Sequence, residues 1–228
     1  MPFGIYVLEG SAPATSRPHR IKPTLAEEVD ATLNQYLTAG LIQHSTSPYS
    51  SPLVVISKKS GGMRITVNYK KLNQISSLSQ LPTPRMDQVL DCLGKGRVFS
   101  LFDLVSSFQQ ISAHKDTFPL TVFCTPTGLY EWLVMLQRSS ASPRWFVKVV
   151  NEVIMNLEQV AAYLEDVIVF DSNPTAHVKT IRALFERLRK HNIKFSPSKA
   201  RLGATDAVFL AHSISPTGVR PNVQKNPH

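Results

Sequence analysis

The apolar positions between residues 24 and 40 repeat every three or four residues, which predicts an amphipathic helix. They are Leu25, Val29, Leu33 and either Tyr36 or Leu37. Thr24 and Glu27 form a capping box that would start this helix, and Gly40 supplies a left-handed stop. The first regular element after the N-terminal segment is therefore expected to be a helix.

Three more helices are predicted downstream, each starting at a polar cap residue that is followed by proline. Thr83-Pro84 begins a short one, which Gly94 and Gly96 would end. Ser142-Pro143 begins a longer helix with an inward face formed by Phe146, Val149, Val150, Val153 and Leu157. Asn173-Pro174 begins the last, with an inward face formed by Val178, Ile181, Leu184, Phe185 and Leu188.

Short apolar runs bounded by turn residues predict strands. Residues 53–56 and 63–69 are joined through Ser60-Gly61-Gly62, which is a hairpin signal. Residues 160–170 are apolar on both sides of Glu165-Asp166, which indicates two buried strands with the acids at the bend. Residues 98–104 are also strand-like, and a final apolar run covers residues 208–210. Because helices and hairpins alternate without a regular strand-helix-strand rhythm, the expected fold class is α+β with a mainly antiparallel sheet.

Composition narrows the class of protein. With 228 residues, of which 43% are hydrophobic, the chain can fill a core. The 25 Lys and Arg against 16 Asp and Glu give a formal net charge of +9, which suits a polyanion such as nucleic acid but also occurs in proteins that are merely soluble. Cys92 and Cys124 form no Cys-x-x-Cys pair, which favours a reducing, intracellular setting. No run approaches the ~18 apolar residues of a membrane span, and no membrane partner is expected.

Three carboxylates could support phosphoryl chemistry. Nucleotidyl transfer needs acids from separate segments to converge, because two Mg²⁺ ions about 3.5–4 Å apart hold the attacking and leaving oxygens. Asp103 ends one predicted strand, while Glu165 and Asp166 lie at the bend of another pair. Taken singly, an acid at a strand end is more often a solvated turn residue.

The surroundings of these acids resemble known motifs. Residues 102–110 resemble the first metal-binding motif of retroelement reverse transcriptases, and Tyr163-Leu164-Glu165-Asp166 resembles their Tyr-x-Asp-Asp box. The resemblance continues through residues 45–48, 51–52, 58–59, 64–73, 130–132, 137, 142–143 and 209–212. It extends from about Arg17 to Asn222 and indicates the fingers and palm of a reverse transcriptase from a gypsy-type long-terminal-repeat retrotransposon.

The resemblance implies specific roles. Asp103, Glu165 and Asp166 would be the catalytic, metal-binding residues, with two Mg²⁺ ions as cofactor and Mn²⁺ as an alternative. The residues expected to hold the incoming nucleotide are Lys58, Lys59, Arg64, Phe108 and Gln137, and the primer-gripping segment is Phe209, Leu210, Ala211 and His212. Phe108 could equally be a core aromatic.

The implied partners are an RNA or DNA template-primer and deoxynucleoside triphosphates. The chain would act intracellularly, in the cytoplasm or nucleus as part of a retroelement particle, within a larger polyprotein. Residues 1–20 are expected to be a loose arm, 21–97 a fingers-like region with the start of the palm, 98–215 a palm-like region, and 216–228 a truncated tail without a thumb.

Several positions depart from the family pattern. Glu165 stands where the family has Asp, and one extra methylene moves the carboxylate by roughly 1.5 Å. Arg138 and Ala211 stand where it has glycine, Asn68 where it has Asp, and Arg144 where it has a small residue. A misplacement of about 1 Å can cost on the order of a hundredfold in rate, so impaired catalysis is expected.

Other classes of function remain open. A non-catalytic nucleic-acid-binding remnant would bind template-primer after Mg²⁺ is chelated. A pseudogene product that does not fold would show no cooperative melting by circular dichroism. An unrelated Mg²⁺ phosphatase or nuclease could use three similar acids, but it would not account for the segments around Arg64 and 209–212.

Overall fold

The computed structural model describes residues 1–57, 62–77, 86–105 and 107–222. Its helices are α1 (Pro23–Thr38), α2 (Lys70–Ile75), α3 (Met86–Leu93), α4 (Ser142–Ile154) and α5 (Pro174–Lys190), with short 3₁₀ helices at Ser107–Gln110 and Lys115–Leu120. Of the helices in these ranges, none combines the length and hydrophobicity needed to cross a membrane.

The strands fall into four hydrogen-bonded groups. In chain order they are β1 (Tyr6–Val7), β2 (Ile42–His44), β3 (Ser51–Ser57), β4 (Met63–Val67), β5 (Ser76–Ser77), β6 (Val98–Asp103), β7 (Phe123–Thr125), β8 (Gly128–Trp132), β9 (Val160–Tyr163), β10 (Asp166–Asp171), β11 (Arg201–Ala204), β12 (Ala207–Phe209), β13 (His212–Ser215) and β14 (Gly218–Pro221). All described strand pairs are antiparallel except β3 with β7, so the predicted mainly antiparallel α+β class is confirmed.

The chain divides into two compact units. The first comprises Met1–Gln80 and Phe108–Trp145, and the second comprises Leu81–Ser107 and Phe146–His228. This division differs from the expected boundary after residue 97, because the segment 108–145 belongs with the upstream residues. Its strands β7 and β8 pair with β3 and β2, and these backbone hydrogen bonds close the sheet of the first unit.

In the first unit, a five-stranded sheet has the order β2-β8-β7-β3-β4. The predicted hairpin of β3 and β4 is confirmed, with Leu53 opposite Val67, while its predicted turn at Ser60-Gly61 lies outside the described residues. The predicted helix α1 is also confirmed, and it buries Val29 and Leu33.

The ends of α1 match the sequence prediction only in part. Its first residue is Pro23, its N-cap is Lys22, and no side chain caps it. The predicted capping box of Thr24 and Glu27 is therefore wrong, because Thr24 already lies inside the first turn, behind a proline that needs no backbone partner. The left-handed stop at Gly40 is confirmed by its φ of 66°.

Within the first 20 residues, which were expected to be a loose arm, several side chains are buried and the backbone forms hydrogen bonds with the rest of the first unit. Phe3 and Ile5 are buried, and β1 pairs with β5. The Phe3 ring also meets Trp145 edge-on, with the ring centroids 6.0 Å apart. Apolar side chains spaced irregularly give no helical or strand periodicity, but they can still fill gaps in a core.

The second unit is built on an antiparallel sheet with the order β11-β6-β10-β9. Side chains alternate between its two faces. On one face, Phe99, Ile168 and Phe170 pack with α3 and with the small sheet of β12, β13 and β14. On the other face, Phe102 packs against Phe185 of α5, with the ring centroids 5.4 Å apart.

A buried polar network ties α5 to this sheet. His177 Nδ1 lies 2.8 Å from Asp171 Oδ2 on β10, and His177 Nε2 lies 2.7 Å from Ser100 Oγ on β6. Thr180 Oγ1 donates to Asp171 Oδ1 at 3.0 Å, and Gly203 N donates to Ser100 Oγ at 2.9 Å. Ser100, Asp171 and His177 follow one another in the order of the catalytic triad of α/β-hydrolases. Ser100 is fully buried, however, so it cannot act as a nucleophile on a substrate. The network instead connects four elements, namely β6, β10, β11 and α5.

Helix α5 differs from its prediction on one face. The N-cap Asn173 is confirmed, since its side chain accepts from Ala176 N at 2.9 Å. Leu184 and Leu188 are buried as predicted, but Val178 is 54% exposed. The inward position is taken by the neighbouring His177, which is 3% exposed.

The small sheet carries a strained two-residue bend. Phe209 pairs with His212, and the intervening Leu210 and Ala211 have φ values of 50° and 58°. Positive φ at both central residues is the pattern of a type I′ turn, which favours Asn-Gly. Within the expected tail of residues 216–228, Gly218–Pro221 forms β14.

We predict that His177→Ala lowers the free energy of unfolding by on the order of 3 kcal/mol, because Asp171 and Ser100 lose a buried partner. Urea unfolding measures this change. Val178→Ala on the same helix is the control, and it should stay within about 0.5 kcal/mol of the parent chain because Val178 is exposed. Equal stabilities of the two variants would contradict the network's role.

We predict that Ala211→Gly raises the free energy of unfolding by about 1 kcal/mol, because glycine adopts positive φ without a Cβ clash. Thermal or urea unfolding provides the measurement. Ala207→Gly, in the strand that enters the same hairpin, is the control and should be destabilising because Ala207 is buried. A loss of stability in both variants would refute strain at the bend.

Candidate active site

The two acidic motifs meet on adjacent strands of the second unit. In the antiparallel pair of β6 and β10, Asp103 lies directly opposite Asp166. Facing residues in such a pair have Cα atoms about 4.5–5.5 Å apart and project from the same face of the sheet. The register therefore brings together two carboxylates that are 63 positions apart in the sequence.

Glu165 occupies the bend that leads into β10. The two-residue bend of Leu164 and Glu165 joins β9 to β10, and Leu164 has a φ of 53°. The carbonyl of Glu165 accepts a hydrogen bond from Leu104 N at 2.9 Å. This bond connects the bend to the end of β6, so the Glu165 backbone is fixed next to the Asp103 motif while its side chain is exposed.

A lysine that sequence reasoning missed contacts Asp103. Lys199 Nζ lies 3.1 Å from each carboxylate oxygen of Asp103. A tight turn delivers it, because Ser196 N donates to Asp103 O at 2.8 Å and Lys199 N donates to Ser196 O at 3.2 Å. The Asp103 side chain is 31% exposed and that of Lys199 is 64% exposed, so the ion pair is accessible to solvent.

Asp103, Glu165 and Lys199 line an open cavity of about 330 Å³. Its lining residues are Asp103, Leu104, Val105, Glu165, Ser196 and Lys199. This concavity joins the end of β6, the β9–β10 bend and the turn that carries Lys199. Carboxylate, hydroxyl and ammonium groups therefore share one polar pocket.

The carboxylates of this site suit Mg²⁺ chemically, but they are not arranged as a preformed metal-binding site. Mg²⁺ prefers carboxylate oxygens and keeps waters or substrate oxygens as its other ligands. Within the described ranges, no group of three or more His, Cys, Asp and Glu side chains is close enough to hold a metal ion. Both oxygens of Asp103 contact Lys199 instead, so metal binding would require Asp103 to turn away from this lysine or share it.

Two residues predicted to hold the nucleotide contact each other in the first unit. Arg64 Nη2 donates to Gln137 Oε1 at 3.2 Å. Phe108 belongs to the same unit, lies in the 3₁₀ helix Ser107–Gln110 and is partly buried. Lys58 and Lys59 lie outside the described residues.

The bend that follows Gln137 is held by an asparagine that sequence reasoning did not assign a role. Arg138 has a φ of 66°, as expected if it replaces a glycine in a left-handed turn. Asn73 Nδ2 donates to Arg138 O at 3.2 Å, and Asn73 Oδ1 accepts from Ser140 N at 3.0 Å. Asn73 thus bridges the carbonyl of Arg138 and the amide of Ser140, which fixes the turn.

The segment predicted to grip a primer divides into buried and exposed parts. Phe209 is 2% exposed and belongs to the core, so its side chain is not available to a ligand. Leu210 and Ala211 form the accessible bend. His212 Nδ1 contacts the carbonyl of Leu210 at 2.7 Å, which steadies this bend from within.

Comparison with known proteins finds similar sequences in retroelement polyproteins. The chain is 33% identical over 219 residues to the retrovirus-related Pol polyprotein from transposon 297 of Drosophila melanogaster, a match that covers 93% of this chain and 21% of that protein. It is 26% identical to the Tf2-3 transposon polyprotein of Schizosaccharomyces pombe, covering 90% of this chain and 16% of that protein. The chain spans about a fifth of the length of these curated relatives.

Solved structures share the fold. A foamy viral protease-reverse transcriptase in complex with an RNA/DNA hybrid superposes with a TM-score of 0.88 at 22% identity, over 98% of this chain and 30% of that chain. The same kind of protein in complex with double-stranded DNA gives a TM-score of 0.86 at 22% identity, over 94% of this chain and 38% of that chain. The family model described as reverse transcriptase (RNA-dependent DNA polymerase) matches residues 56–214, and the chain belongs to that family.

Proposed function

We propose that this chain is the fingers-and-palm part of an RNA-directed DNA polymerase within a retrotransposon polyprotein. It would extend a primer on an RNA or DNA template by two-metal nucleotidyl transfer from deoxynucleoside triphosphates. The observation that carries the proposal is the register of β6 and β10, which sets Asp103 opposite Asp166. Such facing carboxylates at one strand end are what a metal-dependent phosphoryl transfer requires.

The residues divide into those that hold metal and those that hold phosphate. Asp103 and Asp166 would supply the ligands, with Glu165 as the third acid at the bend. When bound, two Mg²⁺ ions would activate the primer hydroxyl and neutralise charge on the leaving phosphate. Arg64 would bind the triphosphate through its planar guanidinium, and its contact with Gln137 orients both side chains beforehand.

The partners of related proteins support this proposal. The foamy viral proteins with the same fold are in complex with an RNA/DNA hybrid and with double-stranded DNA. The net charge of +9 suits either ligand. Action within the cell, in the cytoplasm or nucleus as part of a retroelement particle, follows from the same proposal.

Two features favour a second candidate, a non-catalytic nucleic-acid-binding remnant. Glu165 carries one methylene more than the aspartate of the family box, and Lys199 forms an ion pair with Asp103. Both reduce the capacity of the acids to hold metal in the required geometry. This candidate requires template-primer binding that survives chelation of Mg²⁺, and no primer extension.

We predict that Glu165→Asp raises Mg²⁺-dependent deoxynucleotide incorporation on a primed RNA template by on the order of a hundredfold, because the shorter side chain restores the carboxylate position. Single-turnover primer extension measures the rate. Glu158→Asp makes the same chemical change at an exposed position just before β9, and it should leave the rate unchanged.

The Asp103→Asn variant lacks one metal-binding carboxylate and gives the baseline rate of primer extension. If neither the parent chain nor Glu165→Asp extends primer faster than Asp103→Asn, the polymerase proposal is wrong. Retained binding of the template-primer in EDTA would then establish the second candidate.

A further inference from the structure

Helix α2 holds the Asn73 side chain on a backbone that is fixed at both ends. Leu72 and the N-cap residue Tyr69 are buried. Burial raises the pKa of the Tyr69 phenol, so its hydroxyl stays protonated and donates to Thr121 O at 2.6 Å. At the C-cap, Ser76 Oγ donates to Leu72 O at 2.7 Å. Asn73 therefore extends from a helix that core contacts keep in place.

The loop that carries Gln137 has a short accessible stretch between two buried residues. Leu136 precedes the stretch and Ser139 follows it, and both are buried. Gln137 is half-buried, and Arg138 is exposed with a φ of 66°. A change of conformation at Gln137 and Arg138 would therefore leave the buried residues on either side in place.

The Asn73 amide uses both of its ends on this loop. Its Nδ2 donates to Arg138 O at 3.2 Å, and its Oδ1 accepts from Ser140 N at 3.0 Å and from Ser140 Oγ at 3.2 Å. An asparagine side chain offers donors on one side and an acceptor on the other, which matches the groups that the loop presents. An aspartate in the same place would keep the acceptor and lose the donor for the Arg138 carbonyl.

The conformation of Arg138 makes this support necessary. A residue with a Cβ is strained at positive φ, whereas glycine is not. Without the bond from Asn73, Arg138 can return to an ordinary negative φ, and this change shifts the adjacent Gln137. Because Gln137 Oε1 accepts from Arg64 Nη2 at 3.2 Å, the shift would separate these two side chains.

We propose that Asn73 is a positioning residue for nucleotide binding, because it holds the turn at Arg138 in the conformation that keeps Gln137 paired with Arg64. The inference rests on the proposed function, in which a deoxynucleoside triphosphate is the ligand of Arg64 and Gln137. Asn73 would act through the backbone of the turn rather than through contact with the nucleotide. The need for it arises from Arg138, since a glycine at this position would keep positive φ without support.

The test measures binding of a fluorescent derivative of deoxyadenosine triphosphate in Mg²⁺, with a primed RNA template that presents uracil. A primer that ends in a dideoxynucleotide prevents bond formation, so the dissociation constant is obtained without turnover. Asn73→Asp keeps both contacts with Ser140 and removes only the donor to Arg138 O, so the fold should be retained. Asn34→Asp adds the same charge at an exposed position on α1 in the same unit and is the control.

Asn73→Asp should weaken nucleotide binding on the order of tenfold relative to Asn34→Asp, as expected for the loss of about one supporting hydrogen bond. Adding Arg138→Gly should restore binding to within about threefold of the parent chain, because glycine tolerates positive φ. Adding Arg138→Ala should not, because alanine removes the same guanidinium but keeps a Cβ. Equal affinities of Asn73→Asp and Asn34→Asp would overturn the proposal. So would a glycine variant that restores binding no better than alanine, because the loss would then come from charge alone.

Primer extension separates this inference from the proposed polymerase. With an extendable primer and the Glu165→Asp background, Asn73→Asp should raise KM for dATP by the same factor and leave kcat within about twofold. Rescue of binding by glycine and not alanine, with no primer extension by any variant, would keep the positioning role and reject the polymerase. Primer extension with KM unchanged by Asn73→Asp would do the reverse. A parent chain that binds no labelled nucleotide would reject the positioning role.

Discussion

The site formed by Asp103 and Asp166 depends on the register between β6 and β10. A slip of one residue would move the partner of Asp103 to the other face of the sheet. The network of Ser100, His177 and Asp171 joins the same two strands on the opposite face, and Ser100 lies only three residues from Asp103. The buried His177 thus bridges the two strands whose register brings Asp103 and Asp166 together.

Local patterns predicted the elements that carry the acids, but contacts between distant residues decided the rest. The β9–β10 hairpin and the Asn173 cap follow from apolar alternation and from one cap residue, both of which are short-range signals. The burial of His177 in place of Val178 could not be predicted from such short-range signals. It depends on Ser100 and Asp171, which become neighbours of His177 only after the sheet forms.

The surroundings of Asp103 likewise include a contact that short-range sequence patterns did not predict. Its motif and that of Asp166 were recognisable, and their meeting was predicted. The contact from Lys199 was not, because it arises from a turn whose backbone is hydrogen-bonded to the end of β6. Likewise, the N-terminal segment had no periodicity to indicate packing, yet burial of Phe3 and pairing of β1 fix it to the first unit.

The most direct test of the central claim is an anomalous difference map from crystals of the chain soaked in Mn²⁺. The account predicts a peak within about 2.0–2.3 Å of carboxylate oxygens from both Asp103 and Asp166, with Asp103 no longer held at both oxygens by Lys199. A structure in which Asp103 and Asp166 are not paired across β6 and β10, or in which Mn²⁺ binds elsewhere and not at these acids, would contradict it.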